Sequence, residues 1–120
     1  MINLFDETLK ILRDNSKTPD DVLWVGLLDR DIACSDVTAI GKTTWEDFAA
    51  NANFVYDNGF GSIEINDRLV IVGDTWWLER HEYDGSEWWE FKQKFDEPEQ
   101  LVSTEHIITR INYVMRSYDN

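Results

Sequence analysis

The sequence predicts an α+β domain: three helices with a mainly antiparallel sheet of about four strands. Three observations carry that expectation. Apolar residues recur at helical spacing over residues 3–14, after Thr44 and after Ser103. Residues 62–95 instead alternate apolar with polar, are rich in β-branched and aromatic residues, and are punctuated by Gly-Asp and Asp-Gly. Between these regions, "VLWVGLL" at residues 22–28 is a continuous apolar run of strand length. A chain of 120 residues is expected to form one domain, 1–120, around one core without disulfides or metal.

The first helix has Phe5, Leu9 and Leu12 on its stripe, flanked by Leu4 and Ile11, with Asn3 as N-cap and Asp6 near the positive end. "NSKTPDD" interrupts it, because the residue before Pro19 is pushed out of α geometry. Residues 22–28 then read as a strand buried on both faces. Residues 29–43 form a connection with extended character around Val37 to Ile40. Thr44 caps a second helix with Asp47 at its third position and Trp45, Phe48, Ala49, Ala52 and Val55 on one side. Phe54 falls opposite Trp45, either exposed or beyond the regular helix, and "DNG" at 57–59 supplies the stop.

The strands of 62–95 form a three-stranded meander. A two-residue turn at Gly73-Asp74 sets Arg68 against Glu79, Asp67 against Arg80, Ile71 against Trp76 and Leu69 against Leu78. At the next turn, a two-residue Asp84-Gly85 loop opposes Glu82 to Glu87 and Glu79 to Glu90. A four-residue "DGSE" loop instead pairs Tyr83 with Trp88 and His81 with Glu90, so electrostatics favour the longer loop. Either way the sheet has two unlike faces. Ile65, Leu69, Ile71, Trp76, Leu78, Trp89, Phe91 and Phe95 form the core face. Arg68, Val70, Trp77, Glu79, His81, Tyr83, Trp88, Glu90, Lys92 and Lys94 form the other. After "DEPEQ", Ser103 or Thr104 caps a last helix carrying Ile107, Ile108, Ile111, Val114, Met115 and Tyr118, expected to pack on the core face.

Four of the six tryptophans fall in two adjacent pairs, Trp76-Trp77 and Trp88-Trp89. Adjacent residues of a strand point to opposite faces, so each pair splits. Trp76 and Trp89 belong to the core. Trp77 and Trp88 share the open face with Tyr83, His81 and charged neighbours, and either another element or a protein partner covers them.

The net charge of −13 is spread along the chain, with 11 of the 24 acidic residues in the first sixty positions. Such a field opposes direct binding of nucleic acid or anionic lipid and favours a basic protein surface, including one built to hold nucleic acid. No run approaches the length of a membrane span, and the N-terminus lacks the features of a signal peptide, so a soluble, intracellular protein is expected. Lone Cys34 excludes an internal disulfide and a cysteine zinc cluster. No nucleophile-base motif surrounds His81 or His106. Metal ligation by His81 with Glu79 and Glu90 is geometrically open, against a solvated ion pair as the plainer reading. "YDNGFG" at 56–61 is glycine-rich, but no phosphate-binding lysine follows it. No cofactor is expected.

The blocks "DVLWVG", "YDNGFGSIEI", "LVIVG" and "WLERHEYDGSEWWEF" resemble, in that order, a family of small acidic proteins from phages and mobile elements of Firmicutes. The likeness covers residues 1–95. It implies a non-enzymatic accessory protein of a mobile element, acting in the bacterial cytoplasm. Proteins of that kind are often anti-CRISPR proteins, which occupy the nucleic-acid groove of a type II CRISPR nuclease. A helix ending in "DNGFG" before a meander is also similar to toxin-neutralising immunity proteins of the SMI1/KNR4 type, although the proline-containing helix start of that superfamily is missing before Thr44. The expected partner-binding residues are Trp77, Glu79, Glu82, Tyr83, Asp84, Glu87, Trp88 and Glu90, with Asp96, Glu97 and Glu99 in reserve.

Overall fold

The computed structural model describes residues 1–29, 38–59 and 61–109. Cys34, Phe60 and the apolar positions from Ile111 to Tyr118 lie outside them. The α+β class holds, and two antiparallel sheets replace the single one expected. In chain order the elements are β1 (Ile2–Asn3), α1 (Leu4–Asp14), a 3-10 turn (Pro19–Asp21), β2 (Trp24–Asp29), β3 (Thr38–Thr43), α2 (Trp45–Asn51), β4 (Val55–Tyr56), β5 (Leu69–Val72), β6 (Trp76–Tyr83), β7 (Ser86–Gln93) and α3 (Thr104–Ile108). The larger sheet has five strands in the order β3-β2-β5-β6-β7, and β1 pairs with β4 in a second, small sheet. No helix among the described residues is long and apolar enough to cross a membrane.

Local chemistry sets the helix starts. The Asn3 side chain accepts from the Asp6 N–H at 3.0 Å, and the Thr44 hydroxyl accepts from the Asp47 N–H at 3.1 Å, each satisfying a donor that the first turn leaves open. The second helix is shorter than its apolar spacing suggests. It ends at Asn51, and Phe54 lies beyond it, 44 % exposed. Val55 and Tyr56 leave the helix because they pair with Asn3 and Ile2, so β4 takes the place of a helical tail running to "DNG".

Both hairpins depart from the expected registers by two residues. In the first, the turn is Asp74-Thr75, and Gly73 faces Trp76 with its N–H donating to the Trp76 carbonyl at 2.8 Å. Ile71 therefore opposes Leu78, and Val70 opposes Glu79. The physical reason is the Trp76 indole, which lies where a Cβ on residue 73 would sit, so the glycine must face the tryptophan. Asp67 accordingly does not face Arg80. In the second hairpin the loop is Asp84-Gly85, with φ of 51° and 87°, the paired left-handed residues of a tight two-residue turn. Glu82 does face Glu87, and Glu79 faces Glu90, the arrangement that pairwise electrostatics disfavours. Because both shifts are by two, every side chain stays on its expected face.

The core joins Leu4 and Leu12 of α1, Phe48 of α2, and Val25, Ile71, Trp76, Leu78 and Trp89 of the sheet. Thr8 fixes α1 in place: its hydroxyl donates to the Leu4 carbonyl at 2.7 Å and accepts from the Trp89 indole N–H at 2.9 Å. The interior strand β2, expected to be buried on both faces, is only half-buried outside Val25 and Gly26. Phe95 is not a core residue; it follows β7 and is 92 % exposed. Within α3, Ile107 and Ile108 are also exposed, because α1 and α2 already occupy the core face.

Candidate functional site

The strand register builds the open face row by row. One row runs Trp24, Val72, Trp77, Lys92 and the next runs Gly26, Val70, Glu79, Glu90, with His81 facing Trp88 beyond them. Val70 belongs to this face yet is only 1 % exposed. Its cover comes from neighbouring side chains. The Trp24 ring lies over Gly26, where a Cβ would come within 2.6 Å of it, and Trp77 and Glu79 flank the other side. Trp77 and Trp88 are half-buried in the same way, lying along the sheet instead of standing out from it. Among the described residues no helix is laid over this face.

Polar contacts hold the two tryptophans. The Trp77 indole N–H donates to Glu79 at 3.1 Å, and the Trp88 indole N–H donates to Glu90 at 3.1 Å. His81 sits between the carboxylates, with Nε2 3.4 Å from Glu79 and Nδ1 3.5 Å from Glu90. Lys92 reaches Glu90 at 3.2 Å. Partial burial alone would raise the Glu90 pKa, but hydrogen bonds from Trp88 and Lys92 and the nearby charges of His81 and Lys92 outweigh it and hold this carboxyl below its ordinary value. These contacts offset the like-charge opposition of Glu79 and Glu90.

His81, Glu79 and Glu90 do come together, as the metal reading expects, but as an ion-pair arrangement. The two carboxylates meet opposite nitrogens of the imidazole, whereas metal ligands converge on one point, and one imidazole nitrogen binds one ion. Among the described residues, no three His, Cys, Asp or Glu side chains are grouped to hold a metal.

At the tip of the β6–β7 hairpin, Glu82, Tyr83 and Asp84 are exposed, Tyr83 by 77 %. Asp96, Glu97 and Glu99, on the chain leaving β7, are exposed as well. Glu87 is a correction to the expected set of surface carboxylates. It is 2 % exposed and points to the core side, where it accepts from Arg80 at 3.0 Å and from the backbone N–H groups of Glu64 and Ile65 at 2.8 and 3.1 Å.

Arg80 lies at the centre of that buried cluster and was not singled out by sequence pattern. Its guanidinium donates to Tyr56 Oη at 2.9 Å and approaches Glu7 at 3.4 Å, with the Trp89 ring 4.9 Å away. Tyr56 in turn donates to Glu7 at 2.5 Å. Burial and the bond to Glu7 push the Tyr56 phenol well above its ordinary range, although Arg80 pulls the other way. The signal available in the sequence was strand parity: Arg80 follows Trp76 and Leu78 at even spacing, on the core face. The cluster ties α1, β4, the 64–65 backbone and the β6–β7 hairpin together, and so fixes the direction in which the hairpin tip projects.

No protein-family model matches the chain, and neither a curated protein nor a solved structure matches it.

Proposed function

We propose that the chain is an acidic accessory protein of a phage or mobile element. Its target is a basic, nucleic-acid-binding protein in the bacterial cytoplasm, and it acts as an anti-CRISPR-type inhibitor of a type II CRISPR nuclease. It binds protein, not nucleic acid, and needs no catalysis. Carboxylates at the hairpin take positions that phosphates otherwise occupy in the partner's groove, and aromatic side chains give the contact its specificity.

The observation that carries this reading is the hairpin itself. The β6–β7 hairpin, anchored by the buried Arg80–Glu87 pair, ends in exposed Glu82, Tyr83 and Asp84. Beside it lies the face of Trp77, Trp88, Glu79 and Glu90, on a chain of net charge −13. Tyr83 is the exposed aromatic anchor, and half-buried Trp77 and Trp88 flank the Glu79–His81–Glu90 group. Asp96, Glu97 and Glu99 extend the negative surface. The test is a pull-down against the purified type II nuclease, with and without guide RNA, at low and high salt. Binding to the guide-free nuclease that is lost on adding salt or guide RNA is the expected result. No binding at low salt overturns the reading.

A further inference from the structure

On the opposite side of the sheet, a cleft of about 530 Å³ opens between α2, the β2–β3 pair and residues 64–69. Its volume is in the range of established ligand pockets. Val25, Leu27, Phe48, Ile65 and Leu69 line it, and Phe54 stands at its edge, 44 % exposed. We propose that this cleft and the outer edge of β3 together form a docking site for an extended, basic peptide segment of a partner polypeptide. The segment adds to β3 as a further strand and seats apolar side chains in the cleft.

Three observations support that occupant. The first is the edge. Among the described residues β3 is the outermost strand of the five-stranded sheet, and residues 39–43 are exposed, Ile40 by 58 %. An open strand edge offers main-chain donors and acceptors to an incoming strand, and alternate side chains of that strand fall on one face. The second is Gly41. It lies directly opposite Leu27, so both share the cleft side of the sheet. A Cβ on Gly41 would meet nothing within 4 Å, and its φ is not in the left-handed region, so neither a turn nor a close approach within the chain requires glycine there. β3 bulges beside it, where Ile40 falls between the paired residues Gly41 and Ala39, and the absent side chain leaves room opposite Leu27 for another backbone or a ligand to come close. The third is charge. Asp47 and Glu64 line the cleft, whereas Lys42, the one basic residue along it, pairs with Gly26 and so belongs to the opposite face of the sheet; with a net charge of −13 on the chain, this favours a basic segment over an acidic one.

This site is separate from the Trp77 and Trp88 face, so the two readings fail separately. The probe is a capped synthetic peptide of about seven residues, alternating lysine with valine and leucine. Binding is followed by amide chemical shifts of the full chain. The proposal expects shifts at Gly41, Lys42, Thr43 and Phe48, unchanged in Trp77→Ala. It expects Gly41→Val, which fills the cleft, to weaken binding about tenfold or more, with Gly41→Ala intermediate. N-methylation of alternate peptide residues should abolish binding. Equal affinity for Gly41→Val and wild type overturns the proposal; if that variant does not fold, equal affinity for Gly41→Ala does so. Two other occupants are also outcomes that overturn it. One is a neutral dye such as Nile red binding the cleft where the peptide does not. The other is a dimer by sedimentation that Gly41→Val dissociates, which would assign the β3 edge to a second copy.

Discussion

Replacing Glu87 by alanine should remove about 3–5 kcal/mol of stability, because it deletes one partner of a buried ion pair and strands the other. The structure gives the reasons for a value at this scale. Arg80 is 2 % exposed, and without Glu87 it retains only Tyr56 at 2.9 Å and Glu7 at 3.4 Å. The backbone N–H groups of Glu64 and Ile65 also lose their acceptor, at about 1–3 kcal/mol for each one that water does not reach. A domain of this length has roughly 6–18 kcal/mol in total, so the loss is a large fraction. Glu87→Gln keeps an oxygen acceptor and should cost less than alanine. Urea unfolding followed by tryptophan fluorescence measures both. An alanine variant within about 1 kcal/mol of wild type would refute the reasoning, since a surface carboxylate behaves that way.

Further outcomes follow from other parts of the molecule. Tyr56 has a raised pKa in the folded state, so its contribution to stability is complete below the ordinary value of 10.0 and declines as pH rises above it. Alkaline unfolding should therefore begin near pH 10, and Tyr56→Phe, less stable at neutral pH, should show a shallower loss there. Glu90 has the opposite sign: its contribution is present above the ordinary value of 4.5 and is lost as pH falls through the lower folded value. A side-chain NMR titration should place its midpoint below 4.5, and Trp88→Phe, which removes the indole donor, should move it upward. Gly73→Ala should cost about 1–3 kcal/mol in thermal or urea unfolding, because the new methyl displaces the core indole of Trp76.

Features decided locally were legible in the sequence. Asn3 and Thr44 cap their helices through side chains reaching three residues ahead, and the alternation of the meander assigns each residue to its face. The registers were not legible, for a physical reason. Scoring Glu82 against Glu87 as exposed like charges presumes that both are in water, whereas Glu87 is neutralised by Arg80 seven positions away and by backbone of residues 64–65. With that repulsion removed, the turn preference of Asp84-Gly85 decides the loop. Tyr56 was read with a helix tail for a related reason: its partners Glu7 and Arg80 are 49 and 24 residues distant in the chain. At the candidate site, parity placed Trp77, Trp88, Glu79, His81 and Glu90 on one face. What covers Val70 there was hidden, because the Trp24 ring, lying over Gly26 of its own strand, belongs to β2 and not to the meander that carries Val70.

The most direct test of the proposed role is the affinity of the guide-free type II nuclease for a hairpin-tip variant. Glu82→Lys, Tyr83→Ala and Asp84→Asn combined change only exposed side chains of the tip, keep a residue suited to the left-handed position 84, and leave the Arg80–Glu87 pair in place. The account predicts wild-type folding and binding weaker by about a hundredfold at low salt. A folded variant that binds the nuclease as tightly as wild type would contradict it.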